Sequence, residues 1–186
     1  MQRMFGSDTE SVVFERDCDA VLIPLGDQIT ITEGTVGALT QAMGGSFTVY
    51  VSGSLYRISG QDADAVGKEL VAPPELPEGA SDIDVETLIW DQIKTCYDPE
   101  IPVNIVDLGL IYDCQVEHSD DGSRNVVVKM TLTAPGCGMG DILVEDVAAK
   151  VEIVPTVTNV DVELVFEPPW DFEMMSEAAK LETGMF

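Results

Sequence analysis

Cys137 stands in TLTAPGCGMGD, residues 131–141, where the alternating apolar stretch VVVKMTLT meets a Pro-Gly turn and then a helix-like pattern. At such a strand-to-helix junction the first free backbone N–H groups of a helix can point at the sulfur. That favours thiolate, the form that attacks electrophiles and binds soft metals. The surrounding acidic charge acts the other way and raises the thiol pKa. The residues alone leave that balance open, as they do the alternative of a small buried cysteine at a tight turn. A hydrolytic cysteine needs a base within hydrogen-bond reach. The one histidine, His118, begins the polar stretch HSDDGSR and reads as a solvent-facing loop residue. The chain has no C-x-x-C and no G-x-x-x-x-G-K-[ST], so neither a four-ligand zinc site nor nucleotide hydrolysis has local support.

YDPEIPVNIVDLGLIYD is the second dense feature. Its two prolines impose an extended connection, and Asp98, Glu100 and Asp107 stand along it. Carboxylates beside a thiolate can help bind iron, or can hold the loop by accepting backbone N–H bonds; both readings stand. Cys18 lies in FERDCDA, where flanking charges point to exposure and leave a role as ligand or redox partner open. Cys96 and Cys114 fall on apolar faces and read as core. The stretch FEPPWDFEMM reads as an aromatic anchor that packs against neighbouring methionines.

The elements that position these residues fall on either side of Ala72–Ala80, APPELPEGA, whose three prolines exclude continuous helix or central strand. Residues 1–71 then form a small, mostly β domain, with short apolar runs in SVVFER, AVLIPL, QITI, FTVYV and LYRI. Within it, TVGALTQAMGG is expected to make one or two helical turns ended by glycine. Residues 81–186 change rhythm. Ser81 and Asp84 form a capping-box pattern, and Val85, Leu88, Ile89, Ile93 and Cys96 recur at helical spacing, predicting a helix over 82–96. Leu110 to Val116 and Val126 to Leu132 alternate on either side of SDDGSR and predict a hairpin. Leu143, Val147 and Val151 make one stripe of a helix over 140–151, VTNVDVELVF a third strand, and Asp171 caps a last helix running to about Glu182. The fold class is α+β, a small mixed sheet with helices packed on it.

Composition narrows the partners. Nine Lys plus Arg against thirty-four Asp plus Glu give a formal charge of −25, which repels phosphate backbones and argues against nucleic acid. Residues 1–72 carry 4 basic and 10 acidic side chains, residues 73–186 carry 5 and 24. A solvated acidic surface, as in salt-adapted proteins, accounts for this more simply than a dedicated cation-binding face. No stretch has the apolar length of a membrane span, and MQRMFGSDTESVVFERD lacks a signal-peptide core. With four widely spaced cysteines, a cytoplasmic setting with reduced thiols is expected.

With DPEIPVNIVDLGLIYD, MTLTAPGCGMGD and VELVFEPPWDFEMMSEAAKLETGM in order, residues 81–186 resemble the small α/β domain of iron–sulfur maturation proteins. That domain also occurs in phenylacetate-oxygenase maturation proteins, in a cytosolic iron–sulfur targeting factor of eukaryotes, and fused to P-loop cluster carriers. The front half, with RDCDAVLIPLGD, GALTQAMGGSFTVYVSG and RISGQDADAVGKE, is similar to two-domain, SUF-associated members of the family. The resemblance implies a non-enzymatic accessory factor that helps assemble iron–sulfur clusters, or delivers them to apo client proteins alongside SUF scaffold and carrier proteins. By motif position it puts the family's cysteine on Cys137, its acidic signature on Asp98, Glu100 and Asp107, its strand-end threonines on Thr131 and Thr133, and the amino-terminal cysteine on Cys18. The heavy acidity is not part of the family pattern. A lone thiol without a base suits a transient ligand for iron or a cluster, completed by another protein or a second copy. A metal-free adaptor and a thiol-dependent enzyme are the alternatives.

Overall fold

The structure, a computed structural model, describes residues 9–98, 101–136 and 138–184. The chain divides into two units, Met1–Ala72 and Pro73–Phe186, at the first proline of APPELPEGA.

In the first unit the short apolar runs become strands β1 (Glu10–Val13), β2 (Cys18–Ile23), β3 (Gln28–Ile31), β4 (Val36–Met43), β5 (Ser46–Val51) and β6 (Ser54–Ser59). They form one antiparallel sheet in the order β1-β4-β5-β6-β2-β3. Phe14, Val49, Ile58 and Ala65 are at most 1 % exposed and form its core with neighbouring apolar side chains. The segment TVGALTQAMGG, expected to be helical, is instead strand β4. Ala, Leu, Gln and Met favour helix in isolation, but each such preference is only a fraction of a kcal/mol. Here β1 pairs along one edge of the segment, with Glu10 opposite Leu39, and β5 along the other, with Val49 opposite Leu39. Ladders on both edges decide the conformation, with one irregularity between Leu39 and Gln41.

The second unit opens with α1 (Asp82–Ile93). The Ser81 hydroxyl accepts from the Asp84 backbone N–H, and the Asp84 carboxylate accepts from the Ser81 N–H at 2.7 Å, closing the capping box. The helix ends three residues short of the expected Cys96. Val85, Ile89 and Ile93 are at most 1 % exposed, and removing each from water contributes about 1.5–3 kcal/mol. Strands β7 (Ile111–His118) and β8 (Arg124–Met130) form the expected hairpin. Then α2 (Gly140–Glu152) crosses over and returns the chain as β9 (Val157–Leu164), parallel to β8. A parallel pair needs such a crossover because no tight turn can reverse the chain twice. The sheet order is β7-β8-β9. Val126, Val128 and Met130 of β8 bury one face beneath α1 and α2, together with Leu143, Val147 and Val151. Lys150 of α2 donates to the Thr95 carbonyl at 2.8 Å while pairing with Asp146 at 3.3 Å. This places a cation at the end of α1, whose own last turn holds no basic residue.

The last expected helix is broken in two. Asp171 does cap, but only a 3-10 turn over Phe172–Met174. Met175 then adopts extended backbone and buries its side chain, and Ser176 caps α3 (Glu177–Thr183), which Gly184 closes in the left-handed conformation. Among the described residues no helix is long and apolar enough to cross a membrane.

Candidate functional site

Asn104 organises the loop that joins α1 to β7. Its side-chain oxygen accepts from the Val106 and Asp107 N–H groups at 3.0 and 2.9 Å, and its amide donates to the Asp107 carboxylate. Asp98 does the same work upstream: it is 8 % exposed and accepts from the Ile101 N–H at 3.1 Å. Asp98 thus accepts a backbone N–H bond within its loop, whereas the Asp107 carboxylate accepts from a side chain, the Asn104 amide. Asn104 is not among the residues the sequence singles out, although an Asn two and three residues before its bonded N–H groups is a recognisable turn signal. Glu100 lies outside the described residues.

This loop, the end of β8 and the segment after β9 are stitched together. The Thr131 N–H donates to the Leu110 carbonyl and the Val165 N–H to the Met130 carbonyl, both at 2.8 Å. The Trp170 indole N–H donates to the Leu108 carbonyl at 2.8 Å, the Tyr112 hydroxyl to the Pro168 carbonyl at 2.7 Å, and the Ser176 N–H to the Asp107 carbonyl at 2.8 Å. Trp170 is therefore an anchor, as its sequence context suggested. Gly109, in the left-handed region at φ +74°, lies against the Met174 backbone so closely that a Cβ would collide with that carbonyl. That glycine also escaped the sequence reading, because only the later segment reveals the contact.

From the carboxyl end of β8 the chain runs through residues 131–139 into α2. The crevice outside the carboxyl ends of parallel strands is where α/β sheets commonly hold ligands. Thr131 is 1 % exposed and its hydroxyl has no hydrogen-bond partner among the described residues, whereas Thr133 is half-buried. Gly136 and Gly138 are exposed, and Met139 caps α2 without a side-chain hydrogen bond. Cys137 lies between them in sequence but outside the described residues. Among the described residues no group of three or more His, Cys, Asp or Glu side chains is placed to hold a metal ion. His118 ends β7 rather than standing in the loop, with its ring 3.6 Å from the Asp82 carboxylate.

The other thiols are placed as follows. Cys96 is fully buried, as expected, and Cys114 is half-buried, its thiol pushed up to about 11 by burial and then by Asp113. Cys18, expected to be exposed, is 1 % exposed. In β2 the alternation turns Cys18 and Ala20 inward and Asp19 outward, and the flanking charges solvate the opposite face. Burial, with Asp62 nearby, raises the Cys18 thiol to about 11. A folded-state value above the ordinary 9.0 means that its stabilising contribution is full below pH 9 and is lost as pH rises through about 11. At pH 8, iodoacetamide is therefore expected to leave Cys18 and Cys96 unmodified in the native chain and to modify both in urea. Mass spectrometry of the digested protein reads this directly, and rapid native labelling of Cys18 would contradict the buried placement.

Comparison with known proteins places these segments in a family. The model for the iron–sulfur cluster assembly protein family matches residues 86–162, inside the second unit. A Porphyromonas gingivalis protein named Fe-S protein maturation auxiliary factor is 51 % identical over 102 residues, covering 55 % of this chain and 93 % of the relative. The Staphylococcus aureus Fe-S protein maturation auxiliary factor SufT is 39 % identical over 88 residues, covering 47 % of this chain and 96 % of the relative. The crystal structure of the domain of unknown function DUF59 from Bacillus anthracis is 37 % identical, with a TM-score of 0.48, covering 55 % of this chain and 93 % of that one. These relatives thus match about half of the present chain over nearly their own full length. The chain belongs to the iron–sulfur cluster assembly protein family.

Proposed function

We propose that this protein is a cytoplasmic, non-catalytic accessory factor that assists iron–sulfur cluster assembly or delivers clusters to apo client proteins. Its partners on this reading are SUF scaffold and carrier proteins and the clients themselves. The observation that carries it is 51 % identity across 93 % of a relative named for iron–sulfur protein maturation. Cys137 is the transient ligand of iron or of a cluster in transit, completed by a partner protein or a second copy of the chain. Its place in sequence supports this, since it belongs to the connection between the carboxyl end of β8 and the start of α2. Asp98 and Asp107 act by holding the neighbouring loop, and Thr131 and Thr133 by shaping the strand end from which the Cys137 segment departs. Cys18, buried and protonated, is a cluster ligand only if the first unit opens locally, so Cys137 is the principal thiol.

Anaerobic reconstitution of the purified protein with iron and sulfide, followed by visible spectroscopy and metal analysis, tests the ligand role. The wild type is expected to gain a charge-transfer spectrum that Cys137→Ser lacks, while Cys18→Ser retains it. A spectrum of equal strength in Cys137→Ser would remove Cys137 from the cargo path. A second reading, a metal-free adaptor, draws on the exposed apolar side chains of the segment after β9.

A further inference from the structure

Residues 166–174 spend three large apolar side chains on solvent. Phe166, Phe172 and Met174 are 42 %, 44 % and 37 % exposed. Single exposed apolar residues are ordinary on any protein surface, but three of them within nine residues of one fixed backbone segment mark a contact surface. The backbone here is fixed. Trp170 is tied to the Leu108 carbonyl at 2.8 Å, and the Tyr112 hydroxyl meets the segment at two points, donating to the Pro168 carbonyl at 2.7 Å and touching the Met174 sulfur at 3.6 Å. The Asp171 carboxylate further holds the Glu173 N–H at 2.8 Å.

The charge around these side chains selects the occupant. Between Phe166 and Met174 stand Glu167, Asp171 and Glu173 and no basic residue. Among the described residues only Glu173 has a cation beside it, Lys180 at 3.0 Å. A second copy of a chain with net charge −25 would set these carboxylates against its own. An anionic lipid surface would be repelled for the same reason.

We propose that the Phe166–Met174 segment docks a partner-protein segment that presents apolar side chains between lysines or arginines. The apolar side chains cover Phe166, Phe172 and Met174, and the cations meet Glu167 and Asp171. The assignment names the partner chemistry of the accessory role above and rests on the reading that the second unit meets other proteins. It does not require that Cys137 bind metal.

The test uses the full-length, iron-free protein and a fluorescent synthetic peptide alternating lysine with leucine, with a glutamate-for-lysine version as comparison. Anisotropy is expected to show binding of the lysine peptide alone. Phe166→Ser combined with Phe172→Ser should weaken it by about tenfold, as loss of central apolar anchors does. Cys137→Ser should bind like the wild type, which separates this proposal from the cargo reading. Methyl NMR of the unsubstituted protein gives an independent readout, in which the Met174 signal shifts on peptide addition. Equal binding by the double variant, or shifts spread over the acidic surface with Met174 unmoved, would reduce the contact to general charge attraction and overturn the proposal. A self-associated wild type that the double variant dissociates would also overturn it, in favour of a second copy.

Discussion

Gly109→Ala is expected to destabilise the second unit by about 2–5 kcal/mol, combining roughly 1–2 for left-handed backbone and 1–3 for overpacking. The glycine sits at φ +74°, and a Cβ there runs into the Met174 carbonyl, which is backbone and cannot swing aside. Relief requires the 172–175 segment to move. That movement strains the bonds from Ser176 to Asp107 and from Trp170 to Leu108. Gly122→Ala is the matched comparison, because Gly122 has φ +82° but no described residue within 4 Å of its would-be Cβ. It should lose only the backbone part, about 1–2 kcal/mol. Both tryptophans, Trp90 and Trp170, lie in the second unit, so urea unfolding followed by tryptophan fluorescence reports that unit selectively. Equal losses in the two variants would show that the Met174 contact carries no weight.

Leu143→Ala is expected to cost about 2–5 kcal/mol, the range for deleting a buried leucine side chain that its neighbours cannot replace. Leu143 is 1 % exposed and belongs to the core formed by α1, α2 and the sheet. Its position in α2 gives the loss a second consequence. The same helix joins β8 to β9, so loosening it weakens the parallel pairing as well as the packing. The urea midpoint should fall with the slope unchanged, and a shift corresponding to less than about 1 kcal/mol would mean that the site collapses around the cavity.

Local chemistry made much of the second unit readable. The Ser81–Asp84 box, the hairpin alternation and the Leu143, Val147 and Val151 stripe each specify an element within a few residues, and each is present. The failures arose where distant pairing outweighs local preference. Strand β4 takes its conformation from two neighbours that no window around TVGALTQAMGG contains. The break at Met175 reflects the bond from Ser176 to Asp107, a residue far back in the chain. At Cys18 the charges of Asp17 and Asp19 suggest an exposed neighbourhood, whereas in a strand they imply the opposite face for the residue between them. At the candidate site, the thiol and carboxylates could be picked out by type. Asn104 and Gly109 could not be weighed without the contacts they make.

The crossover through α2 also sets the order in which the second unit can be built. The β7–β8 hairpin closes over a short loop and can form as soon as Met130 has emerged, whereas β8 meets β9 only after the whole helix has been made. During synthesis the apolar strand RNVVVKM therefore has a free edge until residues 157–164 leave the ribosome. For that interval the nascent chain carries an aggregation-prone edge that the finished protein conceals.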